Sequence, residues 1–141
     1  MGTWDVGPFD NDTAADWCYD LDEAAADERL PFIRVTFSAT VDEPRLRNRL
    51  ADRAFAAAAV VASQLPGGEP VVSPYAPDFL LDGGTLDVPG DVVPLALRAL
   101  DRIVGEHSQW RELWEDAGLY DDAAGALQTV RATLLRAVER R

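Results

Sequence analysis

Apolar residues recur along most of this chain at three- and four-residue intervals, the period that lays them along one side of an α-helix. The first such run, from about Asn11 to Asp27, sets Ala14, Trp17, Cys18, Leu21 and Ala25 on a single stripe. Asp10 or Asn11 is placed to cap it, because a short side-chain oxygen there accepts an N–H that the first turn leaves without a partner. Thr13 and Asp16 offer a second possible start, at capping-box spacing. A run from about Glu43 to Gln64 carries Leu46, Leu50, Ala54, Ala57, Val61 and Leu65 at helical spacing. Its alanines, Ala56 to Ala59, have high helix propensity and are small enough to let a neighbouring helix approach closely. Leu65-Pro66-Gly67-Gly68 stops it.

Helix resumes near Asp91, with Pro94 tolerated in the first turn and Leu95, Ala99 and Ile103 on one face. A short helix from about Ser108 to Ala117 presents Trp110, Leu113, Trp114 and Ala117, and Gly118 ends it. The last, about Asp121 to Arg140, presents Leu127, Val130, Leu134 and Val138; its acidic start and arginine-rich end suit the helix dipole.

Two stretches break the pattern. Within Phe32 to Thr40, Arg34-Val35-Thr36-Phe37-Ser38 alternates like a strand and is rich in β-branched residues. Pro31 suits a first helical turn, however, and no second strand is evident to pair with it, so a short helix is expected. Residues 66–90 are rich in Pro and Gly, a connection of unusual length for a compact domain. Tyr75, Phe79, Leu80 and Leu81 are expected to pin it to the core, with one turn of helix after Pro74. The predicted fold is therefore all-α: a single domain over residues 1–141, built as a compact bundle of about five to six helices. It has an N-terminal arm over residues 1–10 and one long connection over 66–90.

Composition narrows the function. At 141 residues and 48% hydrophobic, the chain suits one ordinary domain with its own core. A formal charge of −12 argues against nucleic acid and anionic membrane as partners, because both repel a field of this sign. All thirteen basic residues are arginine. The single cysteine, Cys18, cannot form an internal disulfide, which favours a reducing compartment. Its place on an apolar stripe among acidic neighbours reads as packing rather than reactivity. No basic region followed by an apolar run opens the chain, and the longest apolar run, Ala54 to Ala62, is less than half of a membrane span. A cytoplasmic location is expected.

No set of residues commits the chain to one reaction. His107 is the only histidine, so a zinc site built from several His or Cys is excluded within one chain, and no Ser or Cys sits in a recognisable nucleophile context. Gly67-Gly68 and Gly83-Gly84 read as turns, since a phosphate loop needs a lysine that the chain lacks. No cofactor is expected.

Charge is laid out unevenly instead. Residues 1–28 hold nine acidic side chains and no basic one, and Asp12, Asp16, Asp20, Glu23 and Asp27 fall within about 80° of one another on a helix. Like charges one turn apart cost a helix roughly 0.2–0.5 kcal/mol per pair. The face is thus either solvated, paired with Arg45, Arg49 and Arg53 as a matching stripe on the third helix, or kept for a basic protein partner. A hard cation needs oxygens converging from several directions, which one helix face does not supply. Glu112, Glu115 and Asp116 include a Glu-x-x-Glu pair. All-α nucleotide pyrophosphohydrolases hold Mg²⁺ with such pairs on two helices, and here the second pair is missing. No metal site is assigned. A carboxylate–Mg²⁺ hydrolase of a small phosphorylated compound would require Asp12 or Asp16 to meet Glu112 and Glu115. The preferred expectation is a non-enzymatic interaction module, a neutraliser or adaptor for a basic partner. That hydrolase and a homodimer joined through the alanine-rich or tryptophan-bearing faces are the alternatives.

The opening Met1-Gly2-Thr3-Trp4-Asp5-Val6-Gly7-Pro8-Phe9-Asp10-Asn11-Asp12-Thr13-Ala14-Ala15-Asp16-Trp17 resembles that of a bacterial family, domain of unknown function 4259. Its members begin with a Gly-x-Trp-x-x-Gly-Pro-Phe-x-Asn-Asp-x-Ala-x-Asp pattern. The alanine-rich third helix and the Trp110 to Gly118 stretch are similar more loosely, while Asp5 and the Phe32 to Ser38 segment depart from the family. The resemblance implies a small, mainly helical bacterial protein without an established activity, and it brings no catalytic residue with it. Physically, Trp4, Pro8 and Phe9 read as anchors folding the arm back on the bundle. Gly7 frees the backbone to turn, Asn11 begins the helix, and Phe9 acts as a hydrophobic staple. The same motif also offers Trp4, Asn11, Asp12 and Asp16 as an aromatic-and-carboxylate pocket, although a helix N-terminus disfavours a cation.

Overall fold

Every segment with helical period folds as helix. The computed structural model describes residues 5–140, and among them the chain forms seven α-helices and no strand. They are α1 (Asp12–Glu23), α2 (Arg29–Asp42), α3 (Asn48–Ser63), α4 (Asp78–Leu81), α5 (Val92–Val104), α6 (Gln109–Asp116) and α7 (Tyr120–Glu139). The seventh, beyond the five to six expected, is the single turn α4 in the long connection. A 3₁₀ turn, Ala26–Glu28, links α1 to α2. None of these helices is long and apolar enough to cross a membrane.

The fold centres on α3. From Ala54 to Ala62 each of its residues is buried, and it packs against α1, α2, α5, α6 and α7. A helix that is apolar all round belongs inside, and alanine leaves its neighbours room to close on it from every side. Phe55 projects from it to meet Trp110 edge-on at 6.3 Å, and Trp114 and Tyr120 complete the aromatic group. Trp114 and Tyr120 are only partly buried, and Leu113 of α6 and Ala117 just after it are exposed, so one tryptophan does most of that helix's anchoring. On the other side α5 packs against α2 and α7. Its inward face is wider than one stripe, burying Val92, Val93, Ala96, Ala99, Leu100 and Ile103, with Leu95 half-buried. In α7, Leu127 and Leu134 reach the core with Ala123 and Thr133, while Val130 and Val138 are half-buried.

The ambiguous segment is helix, and longer than expected. The strand-like alternation misleads because Val35 points to solvent, 67% exposed, while Ile33, Thr36, Phe37 and Thr40 face inward at helical spacing. Thr36 and Thr40 donate to the carbonyls of Phe32 and Thr36 at 3.0 Å each, the i−4 back-bond that satisfies a threonine hydroxyl inside a helix.

Two boundaries move. The third helix starts at Asn48 rather than Glu43, because Pro44 drives Glu43 to extended backbone and Leu46 is drawn into a short parallel bridge. The Leu46 N–H donates to the His107 carbonyl at 2.8 Å, and its own carbonyl accepts from the Gln109 N–H at 2.8 Å. Gln109 returns the contact, its side-chain oxygen accepting from the Asn48 N–H at the start of α3. Arg102 locks the junction by donating to the carbonyls of Glu43, Glu106 and His107. His107 takes left-handed backbone there, φ 57°, and the cap of α6 is the next residue, Ser108.

The first helix likewise stops at Glu23, four residues short of the expected end, with Ala24 extended and Ala25 exposed. Its last carbonyls find a partner from outside: Arg29 donates to those of Leu21 and Asp22 at 3.2 Å each. The same guanidinium stacks on Phe79, 3.8 Å from the ring centroid. Asp22 in turn accepts from the N–H groups of Asp78 and Phe79, capping α4 and holding the long connection. Leu80 and Ala76 sink into the core and Phe79 is half-buried, whereas Tyr75 and Leu81 stay exposed. At the start of this connection Gly68 is required for space, since a Cβ there would strike the Ala62 carbonyl.

Candidate functional site

The acidic face begins with a cap. Asn11, extended and buried, accepts from the Ala14 N–H at 2.7 Å and so starts α1. One residue earlier, Asp10 folds back to accept from the Gly7 N–H at 2.9 Å. A Cβ at Gly7 would meet that carboxylate, the movable end of a side chain, and its φ is not positive. Phe9 is buried and Pro8 half-buried, as anchors of the arm should be; Trp4 lies outside the described residues.

From that start Ala14, Trp17, Cys18 and Leu21 turn inward, and Asp12, Asp16, Asp20 and Glu23 turn out to solvent. Asp27 does not join them, because the helix has ended and it sits on the 3₁₀ turn. Burial raises the Cys18 thiol well above its usual range, with Asp22 adding to the effect, so it is a packed, un-ionised group. The hydrogen-bonded Glu23 carboxylate raises the exposed Tyr19 phenol in the same direction.

Trp17 shapes what lies beside this face. Its indole stacks on Phe32 at 5.5 Å and donates to the Thr36 hydroxyl at 2.9 Å, joining α1 to α2 across a side chain rather than by close backbone approach. The opening that results is a groove of about 480 Å³. Asp12, Asp16 and Asp20 line it from α1; Phe32, Val35 and Ala39 from α2; Arg49, Leu50 and Arg53 from α3. The expected acid–arginine ladder is not formed as ion pairs. Arg49 and Arg53 share the groove with the aspartates, yet among the described residues no ion pair within 4.0 Å joins them. Arg45 lies before α3 in the extended segment, exposed and off the groove. Phe32, Val35 and Ala39 went unrecognised as lining residues. Once the segment is read as helix, their spacing marks a second apolar face behind Ile33 and Phe37.

The other candidate carboxylates are elsewhere. Glu112 and Glu115 line a separate depression with His107 and Arg111, and Glu115 pairs with Arg111 at 3.5 Å. Asp12 and Asp16 are therefore not brought together with them, and among the described residues no group of three His, Cys, Asp or Glu is arranged to hold a metal ion. The buried Asp52 escaped notice. It is 7% exposed on α3, with the Asn48 amide donating to it at 3.2 Å, and desolvation pushes its pKa up to about 7.

No curated protein and no solved structure matches this chain. One family model does, described as Domain of unknown function (DUF4259), over residues 2–126. That is most of the sequence, from the N-terminal motif into α7, and the chain belongs to this family.

Proposed function

We propose that the protein is a non-enzymatic interaction module of the cytoplasm that uses α1 and the groove beside it to bind a basic protein partner. The observation that carries this is a row of exposed carboxylates, Asp12, Asp16 and Asp20, left without an ion pair among the described residues. The row sustains like-charge repulsion on every turn of α1. A net charge of −12 adds long-range attraction for cationic partners, raising the rate of encounter more than the final affinity. No cofactor enters this function, and nucleic acid and membrane surfaces are disfavoured by the same field.

The test is comparative retention from a native lysate. Wild type is set beside Asp12→Asn/Asp16→Asn/Asp20→Asn and beside Glu69→Gln/Asp82→Asn/Asp87→Asn, which removes equal charge from exposed positions of the long connection. Proteins held at low salt by wild type and by the second variant, absent from the first, and released as salt rises are the expected result. Equal retention by all three, or none by any, overturns the proposal.

A further inference from the structure

The two sides of the groove carry opposite charge, which says more about the occupant than the acidic face alone. Asp12, Asp16 and Asp20 stand one turn apart on α1, about 6 Å along the axis, and Arg49 and Arg53 repeat that spacing on α3. Between them lie the apolar atoms of Phe32, Val35 and Leu50, with Val35 exposed despite its β-branched side chain. A plain polycation would be attracted by α1 and repelled by the two arginines. A polyanion would meet the reverse.

Resting on the reading of α1 as a partner-binding face, we propose that the groove takes an amphipathic helix of the partner protein. One edge of that helix carries Lys or Arg at i, i+4 spacing against Asp12, Asp16 and Asp20. The other carries Asp or Glu against Arg49 and Arg53, and an apolar stripe between them covers Phe32, Val35 and Leu50. The groove's 480 Å³ admits the stripe's side chains, while the helix itself lies along the opening. Arg49 and Arg53 then act as the selective element, rejecting basic segments that lack the acidic edge.

Fluorescence anisotropy with two labelled synthetic helical peptides of equal length tests this. One presents a lysine edge, a leucine stripe and a glutamate edge; the other replaces the glutamates with lysine. Wild type is expected to bind the first about tenfold more tightly at low salt, a difference of about 1.4 kcal/mol. Arg49→Glu/Arg53→Glu should reverse that order and Arg49→Gln/Arg53→Gln should abolish it. Both positions are exposed, and circular dichroism verifies that the variants fold. Equal affinity for the two peptides, or an order unchanged by either variant, overturns the groove proposal and leaves the acidic-face reading standing. If neither peptide binds, the groove proposal falls, and the lysate comparison decides the acidic-face reading separately.

Discussion

Two regions of this molecule treat charge differently. Around α5, α6 and α7 three arginines are engaged: Arg131 with Asp101 at 2.8 Å, Arg111 with Glu115 and the Val104 carbonyl, Arg102 with three carbonyls. Along the groove of α1, α2 and α3, Asp12, Asp16, Asp20, Arg49 and Arg53 meet without an ion pair among the described residues, although Arg34 of α2 pairs with Asp91. Both regions are of the same chain and rest on the same buried helix. Charge compensation is therefore local in this fold, and the groove is one place where it is withheld. An exposed pair contributes only about 0–1 kcal/mol, so leaving such pairs unmade costs the fold little.

Asp52, buried on α3, sharpens the contrast most. Its carboxylate is buried on α3 with the neutral Asn48 amide donating to it, and its pKa rises from 3.8 to about 7. Between those values the folded state holds a proton that the unfolded state has lost, so this group's contribution to stability falls as pH rises through that window. Asp52→Asn imitates the protonated acid. Thermal melts should show little change near pH 4 and a gain of as much as about 4 kcal/mol above pH 7, from about 1.36 kcal/mol per unit. A variant equally affected at both pH values would refute the burial account.

Arg102→Ala should be next in size. Removing the guanidinium frees the Glu43, Glu106 and His107 carbonyls and unties the chain before α3 from the chain before α6. A loss of about 2 kcal/mol in urea unfolding is expected, in keeping with charge-assisted hydrogen bonds. No measurable loss would mean that the Leu46 bridge holds the junction alone.

The smallest effect belongs to the acidic face. Asp12→Asn/Asp16→Asn/Asp20→Asn should raise stability by about 0.5 kcal/mol at low salt, the repulsion relieved along one helix face, and the gain should vanish as salt screens it. Destabilisation in that melt would mean that these carboxylates are structural after all. The comparison of the two regions would then fail.

Much of this was legible in advance where the cause is local. The Asn11 cap, the stop at Pro66-Gly67-Gly68, and the inward stripe Ala14, Trp17, Cys18 and Leu21 all follow from spacing and side-chain chemistry within a few residues. Asp27 and Arg45 were misplaced for the opposite reason. Arg29 and the Leu46 bridge end one helix and delay another, through contacts that no periodicity encodes. Asp22 looked like one more acid among nine; only the return of residues 78–79 makes it a cap. The groove was visible only in part, since the aspartates and Arg49 with Arg53 could be paired by eye, while Val35 was hidden in strand-like alternation.

By itself, then, the amino-acid order determined that this chain is helical, that its alanine-rich segment can be approached closely by other helices, and that its negative charge gathers toward the N-terminus. Those properties depend on backbone propensity, residue size and net charge, all of which act over a turn or two of helix or over the whole molecule at once. Only the tertiary structure decided which charges meet. Side chains far apart in sequence become neighbours through packing, and at Trp17 a single indole joining α1 to α2 leaves an opening where direct contact would have closed it.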